Sequence, residues 1–211
     1  MCIRDRSKAK KPVIISGSGV IWSRAWAEMQ QLVEKAGIPF YTTPQGRGVV
    51  PDDHPLSYLS MRSTAFKDAD LIIVLGTRMN YIISHAAPPR FNASARIARI
   101  DIDATEIATA ARKVDIGIVG DCRSVLNQIL TGMKGKVDPD RYKDWRKTLA
   151  DGVAAKLKSP GANKMVEDGD IHPLRLCEEI NNFLQRDAIL VVDGQEAVSY
   201  THLTLPTTPY V

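Results

Sequence analysis

Asp70-Leu71-Ile72-Ile73-Val74-Leu75-Gly76-Thr77-Arg78 is the most informative stretch of this 211-residue chain. Five consecutive apolar residues, three of them β-branched, lie between a carboxylate and Gly-Thr-Arg. Such a run is a strand buried on both faces, as in the middle of a parallel α/β sheet. Gly76 permits a sharp turn off the strand's carboxyl end, and Arg78 then stands over the edge where sheets of this kind bind ligands.

The flanking sequence supplies the neighbours. Lys11-Pro12-Val13-Ile14-Ile15 reads as a strand that runs into Ser16-Gly17-Ser18-Gly19. Ala25, Met29, Leu32, Val33 and Ala36 follow at helical spacing, with Ser23 as the expected N-cap and Gly37 as the stop. Strand, Gly-rich turn and helix together gather backbone N–H groups at one spot, which suits a phosphate. Gly17 and Gly19 lack the third glycine of a dinucleotide fingerprint, however, and the same two residues equally serve merely to turn the chain. Ile38-Pro39-Phe40-Tyr41 is the next strand, followed by a loop in which Gly46 and Gly48 flank Arg47. An NAD-type site would place an acidic residue at this strand's end, and Thr42 and Thr43 stand there instead. His54, between Asp53 and Pro55, reads as a turn residue, and His85, on an apolar stretch, as structural. A helix over residues 60–67 leads into the central strand.

Ile97-Ala98-Arg99-Ile100-Asp101-Ile102-Asp103 is a further strand ending in two carboxylates that share a face. Asp103 and Glu106 have capping-box spacing, so Asp103 is assigned to a helix cap and Asp101 to ligand contact. Ile116-Gly117-Ile118-Val119 is the fifth strand, followed by Gly120-Asp121 and a helix through Val125, Ile129 and Leu130. Strands alternating with helices over residues 12–131 specify an α/β fold with a doubly wound parallel sheet. Its carboxyl edge collects Gly17, Gly19, Arg47, Gly76, Arg78, Asp101, Ile102, Gly120 and Asp121, the candidate contacts for a nucleotide.

Residues 132–170 change character. Glycines, prolines and lysines punctuate a linker carrying one amphipathic helix through Tyr142, Trp145, Leu149, Val153 and Leu157. Residues 171–197 then read as the first helix-strand unit of a second α/β domain, ending in Asp193-Gly194-Gln195-Glu196. Residues 1–6 and 198–211 fit no element of this pattern and resemble translated adapter sequence, a natural Thr/Pro-rich tail being the other reading of the carboxyl end. With the adapter reading, residues 7–197 are a piece of a longer protein.

Composition narrows the class. The chain is 44% hydrophobic and 25% charged, ordinary for a soluble globular protein. The net charge of +4 is scattered, with no aromatic-basic stripe, which argues against a nucleic-acid partner. No apolar run approaches the roughly 20 residues of a membrane span. Cys2, Cys122 and Cys177 form neither a CxxC pair nor a metal-ligand spacing, so a reducing, cytoplasmic setting and no metal site are expected.

With these residues placed, residues 11–197 resemble the middle of a thiamine diphosphate-dependent enzyme of the acetolactate synthase superfamily. The matching segments are residues 37–40, Gly48-Val49-Val50-Pro51-Asp52-Asp53-His54-Pro55, Gly76-Thr77-Arg78-Met79-Asn80 and Ile100-Asp101-Ile102-Asp103. In pattern they are nearest to the branch of 2-hydroxyacyl-CoA lyase and oxalyl-CoA decarboxylase. The resemblance implies a Rossmann-like central domain over 7–131 that binds ADP, FAD or nothing. It implies thiamine diphosphate and Mg²⁺ in the parent enzyme, with Gly194, Gln195 and Glu196 where the third domain first approaches the diphosphate. Glu196 departs from the His of acetolactate synthases. The family's catalytic glutamate and Gly-Asp-Gly…Asn metal motif fall outside this stretch, so the resemblance implies no catalytic residue within the chain. It also implies a small-molecule substrate, a 2-oxo acid or a 2-hydroxyacyl- or oxalyl-CoA, and a parent that is a homodimer or homotetramer. The competing reading is a non-catalytic structural or nucleotide-binding domain.

Overall fold

A computed structural model of the chain describes residues 9–133, 137–158, 173–185 and 188. Five strands form one all-parallel sheet: β1 (Pro12–Ser16), β2 (Phe40–Thr42), β3 (Leu71–Leu75), β4 (Arg96–Asp101) and β5 (Ile116–Val119). Their spatial order is β2-β1-β3-β4-β5. Chain order reverses between β1 and β3, and right-handed crossovers on the two sides of that point put helices on opposite faces. The central run behaves as its composition requires, for every residue of β3 is buried, as is every residue of β1. β5 alternates half-buried Ile116 and Ile118 with exposed Gly117 and Val119, the mark of an edge strand.

The helices are α1 (Ser18–Trp22), α2 (Trp26–Ala36), α3 (Arg62–Asp68), α4 (Ala104–Ala108), α5 (Cys122–Met133), α6 (Lys143–Leu157) and α7 (Pro173–Phe183). α2 buries Met29, Leu32, Val33 and Ala36, the apolar stripe of the sequence, and stops at Gly37 in the left-handed region (φ 61°). Its expected cap is corrected. Ala25 occupies the N-cap of α2 without a side-chain bond, and Ser23 instead ends the short helix α1, its Oγ donating to the Val20 carbonyl at 3.2 Å. The extra turn of α1 moves the start of the long helix by two residues. β2 is likewise displaced from 38–41 to Phe40–Thr42, because Pro39 has no N–H to offer a ladder and contributes only its carbonyl, which accepts from Ile14 N at 2.9 Å.

α2 and α5 are tied by Arg123, whose Nε donates to Glu28 Oε1 at 2.9 Å. α3 sends Phe66 between Tyr41 (edge-on, 5.2 Å) and Phe91 (stacked, 4.5 Å). α6, the amphipathic helix expected within 132–170, is docked on the same core. Trp145 Nε1 donates to the Pro12 carbonyl at 3.1 Å, Arg146 Nη1 to the Gly37 carbonyl at 3.1 Å, and Leu149 is fully buried. The helix expected after residue 171 is α7. Residues 1–6, 189–192, Gly194, Gln195, Glu196 and 198–211 lie outside the described residues.

Candidate functional site

Pairing of Ser16 with Leu75 sets the carboxyl ends of β1 and β3 side by side, at the point where strand order reverses. The two exits are stitched together there. Gly17 N donates to the Leu75 carbonyl and Gly19 N to the Gly76 carbonyl, both at 2.9 Å. A Cβ on Gly17 would lie 2.3 Å from Thr77 Cβ, and one on Gly19 2.8 Å from Gly76 Cα. These glycines therefore allow two loops to touch, and their own N–H groups are spent on that contact. Of the two roles open to them in the sequence, turning and packing the chain is the one in which their N–H groups are engaged.

Over this stitch opens a cleft of about 730 Å³. Its described lining comes from the segments after four strands, with Ser18, Gly19 and Trp22 after β1, Thr43 to Gln45 after β2, Gly76 to Ile82 after β3 apart from Met79, and Asp101 and Ile102 at the end of β4. Asp121 and Cys122 close it from the start of α5. Six of the nine candidate nucleotide residues thus meet in one cavity: Gly19, Gly76, Arg78, Asp101, Ile102 and Asp121. Gly17, Arg47 and Gly120 do not line it. Arg47 turns to Asp52, its Nε 3.5 Å from Oδ2, in a place where burial lowers the arginine's pKa and raises the aspartate's. Gly120 continues the sheet, its N–H donating to the Asp101 carbonyl at 2.9 Å.

The lining residues missed in the sequence are mostly rings and small polar groups. Trp22 and Tyr81 are 84% and 79% exposed, and Ile102 is 74% exposed. Single exposed apolar side chains are ordinary, but these three cluster around one cavity, and a cluster marks a binding surface. Ile102 is one of the candidate contacts, whereas nothing in the spacing around Trp22 and Tyr81 sets these rings apart from core rings. Arg78 is the one cation among the described lining residues. It is 77% exposed at the side chain, with its Nε 3.3 Å from Glu106 Oε1. Asp103 caps α4 as expected, accepting from Thr105 N at 2.7 Å, and this bond holds its carboxyl below the usual carboxylate range. The other half of the capping box is absent, because Glu106 turns to Arg78 and Arg99, and Asp103 N donates to Asp101 Oδ1 at 3.2 Å. Burial, and then the Asp121 and Asp101 carboxylates, push the Cys122 thiol up to about 12, so it lines the cleft as a neutral group rather than a nucleophile. No group of three or more His, Cys, Asp or Glu among the described residues is placed to hold a metal ion.

A known family covers this architecture. The family "Thiamine pyrophosphate enzyme, central domain" matches residues 7–129, which contain the five described strands and all of the described lining of the cleft. The chain belongs to that family. Relatives of this central domain carry several names. A 2-hydroxyacyl-CoA lyase of Arabidopsis thaliana is 32% identical over 90% of this chain and 32% of its own length. The acetolactate synthase large subunit of Mycobacterium tuberculosis is 31% identical over 92% of this chain and 34% of its own. The oxalyl-CoA decarboxylase of Escherichia coli is 32% identical over 61% and 22%. The chain spans about a third of the length of the first of these relatives. The sheet of the family's central domain is therefore what the described residues present, and the described helices contain none long and apolar enough to cross a membrane.

Proposed function

We propose that the chain is the nucleotide-holding central part of a thiamine diphosphate- and Mg²⁺-dependent lyase, decarboxylase or carboligase. Its substrate class is a 2-hydroxyacyl- or oxalyl-CoA, as in the names of two of its relatives, or a 2-oxo acid, as the resemblance to acetolactate synthases implies. The cleft takes the ADP group that ADP and FAD share. The observation that carries this reading is the place of the cleft at the reversal point of the sheet, rimmed by exposed rings with a cation and two carboxylates between them. A planar base stacks on such rings, a ribose hydroxyl donates to a strand-end carboxylate such as Asp101, and the Arg78 guanidinium neutralises phosphate. Thiamine diphosphate, when bound, supplies the electron-accepting thiazolium needed to make or break a C–C bond beside a carbonyl. The positions that the resemblance assigns to it, Gly194, Gln195 and Glu196, lie outside the described residues. The parent is proposed to be a cytoplasmic homodimer or homotetramer. A second reading, a purely structural central domain, is favoured by the N–H groups of Gly17 and Gly19, which are engaged within the fold.

Thermal melting of the chain with ADP, FAD, NAD, or thiamine diphosphate with Mg²⁺ separates the two readings. A ligand at a hundredfold excess over Kd adds about 2.7 kcal/mol to stability. ADP or FAD is expected to raise Tm, with Arg78→Ala weakening the affinity about tenfold and the emission of Trp22 changing on binding. No shift with either nucleotide would leave the structural reading standing.

A further inference from the structure

Arg99 is a charged residue in the middle of a buried strand, 1% exposed at the side chain, and nothing in the spacing of β4 calls for it. An isolated guanidinium there is costly unless every donor finds an acceptor. Its Nη2 lies 2.8 Å from Asp101 Oδ2, 3.0 Å from Glu106 Oε2 and 3.3 Å from the Thr77 carbonyl, and its Nη1 donates to the Glu106 carbonyl. Its Nε is buried without a partner. One side chain thus grips the exit of β3, the end of β4 and the first turn of α4. Glu106 passes the contact on, since its other carboxylate oxygen meets Arg78. Arg99 is not among the residues lining the cleft, while Asp101, Thr77 and Arg78 are.

We propose that Arg99 is a positioning residue of the cleft, setting the Asp101 carboxylate directly and Arg78 through Glu106 without touching the ligand itself. This rests on the reading of the cleft as an ADP site. It is a relay of alternating charge, Arg99 to Asp101 on one arm and Arg99 to Glu106 to Arg78 on the other. With its Oδ2 held by Arg99, Asp101 keeps a fixed orientation as acceptor for a sugar hydroxyl, and a hydrogen bond to a charged group is strong enough to discriminate. With Glu106 held from behind, Arg78 stays at the rim, where the second phosphate of a diphosphate is recognised. A long, 77% exposed arginine would otherwise spread over many rotamers.

The test is a pair of affinity ratios on the full chain, measured by calorimetry. ADP against 2′-deoxy-ADP reads the Asp101 arm, and ADP against AMP reads the Arg78 arm. The wild-type chain is expected to prefer ADP about tenfold in each comparison, about 1.4 kcal/mol. Arg99→Gln is expected to bring both ratios below twofold. Glu106→Gln, on a residue with substantial exposure, should lower the ADP-to-AMP ratio alone and leave the sugar preference intact. If Arg99→Gln stays folded and weakens all three nucleotides by a common factor, or changes neither ratio, the inference is overturned and the ADP reading stands. If Arg99→Gln does not fold, Glu106→Gln decides: an ADP-to-AMP ratio unchanged in that variant overturns the relay. A wild-type chain that binds none of the three nucleotides overturns both.

Discussion

At the scale of single residues, the site depends on absent side chains as much as on present ones. Gly76 has φ 54°, and a Cβ there would lie 2.8 Å from Gly19 Cα and 2.9 Å from Cys122 Sγ. Backbone strain and a clash with backbone act together, and Gly19 cannot step aside without opening the β1–β3 stitch. Gly76→Ala is therefore expected to cost roughly 2–4 kcal/mol, a fall in Tm on the order of 5–12 °C for a chain of this size. Gly132, near the end of α5, has nothing within 4 Å of where a Cβ would go. Gly132→Ala should raise stability by about 0.5–1 kcal/mol, because the helix gains and nothing is displaced. Thermal melts of the two variants should move in opposite directions. Equal shifts would mean that the contact at Gly76 is not a tight one.

Between elements, the pair that matters is Glu28 of α2 with Arg123 of α5. Glu28 is 8% exposed, which alone would raise its carboxyl. Hydrogen bonds from Arg123 and Asn127 outweigh that burial and hold it below its ordinary value of 4.5. A carboxyl held lower in the folded than in the unfolded state stabilises above the unfolded value, and the gain is lost as pH falls through the folded one. Wild type should therefore melt higher than Glu28→Gln at pH 7, by about 1–2 kcal/mol of stability, and the gap should close as pH falls well below 4.5. A gap independent of pH would assign it to packing instead. This pair also shows what could be read in advance. The strands at 12–16, 71–75, 96–101 and 116–119 and the helices at 26–36 and 122–133 follow from apolar spacing, which is local. Glu28 and Arg123 stand 95 residues apart, and so close an ion pair has no signature along the chain. Arg99 escaped for the same reason, since a cation inside an apolar strand makes sense only once Asp101, Thr77 and Glu106 are placed around it. Asp101 and Arg78 were legible because strand ends in this topology face one edge. Trp22 and Tyr81 were not, because an exposed ring and a core ring read alike in a sequence.

For the whole molecule, the question is where the folding unit ends. Composition changes at about residue 131, and a chain stopping at Thr131 keeps all five strands and α1 to most of α5. The packing continues further. Tyr142, Trp145 and Leu149 are 2%, 3% and 0% exposed, and Trp145 donates to Pro12 at the start of β1. Each such side chain contributes about 1.5–3 kcal/mol on burial, against a total stability for a domain of about 5–15 kcal/mol. Without α6, the start of β1 and the Met61 side chain beside Gly152 would face water. A chain of residues 7–131 should therefore unfold at a clearly lower denaturant midpoint than one of residues 7–158, and with a smaller dependence on denaturant, since less surface is exposed on unfolding. Trp145→Phe in the longer chain keeps most of the apolar contact but strands the Pro12 carbonyl, and should reproduce part of that loss, about 1–3 kcal/mol. If instead the two chains share one midpoint, α6 and the turn before it are passengers on a domain that is already complete at Thr131, and the burial of Tyr142, Trp145 and Leu149 adds nothing to the cooperative unit.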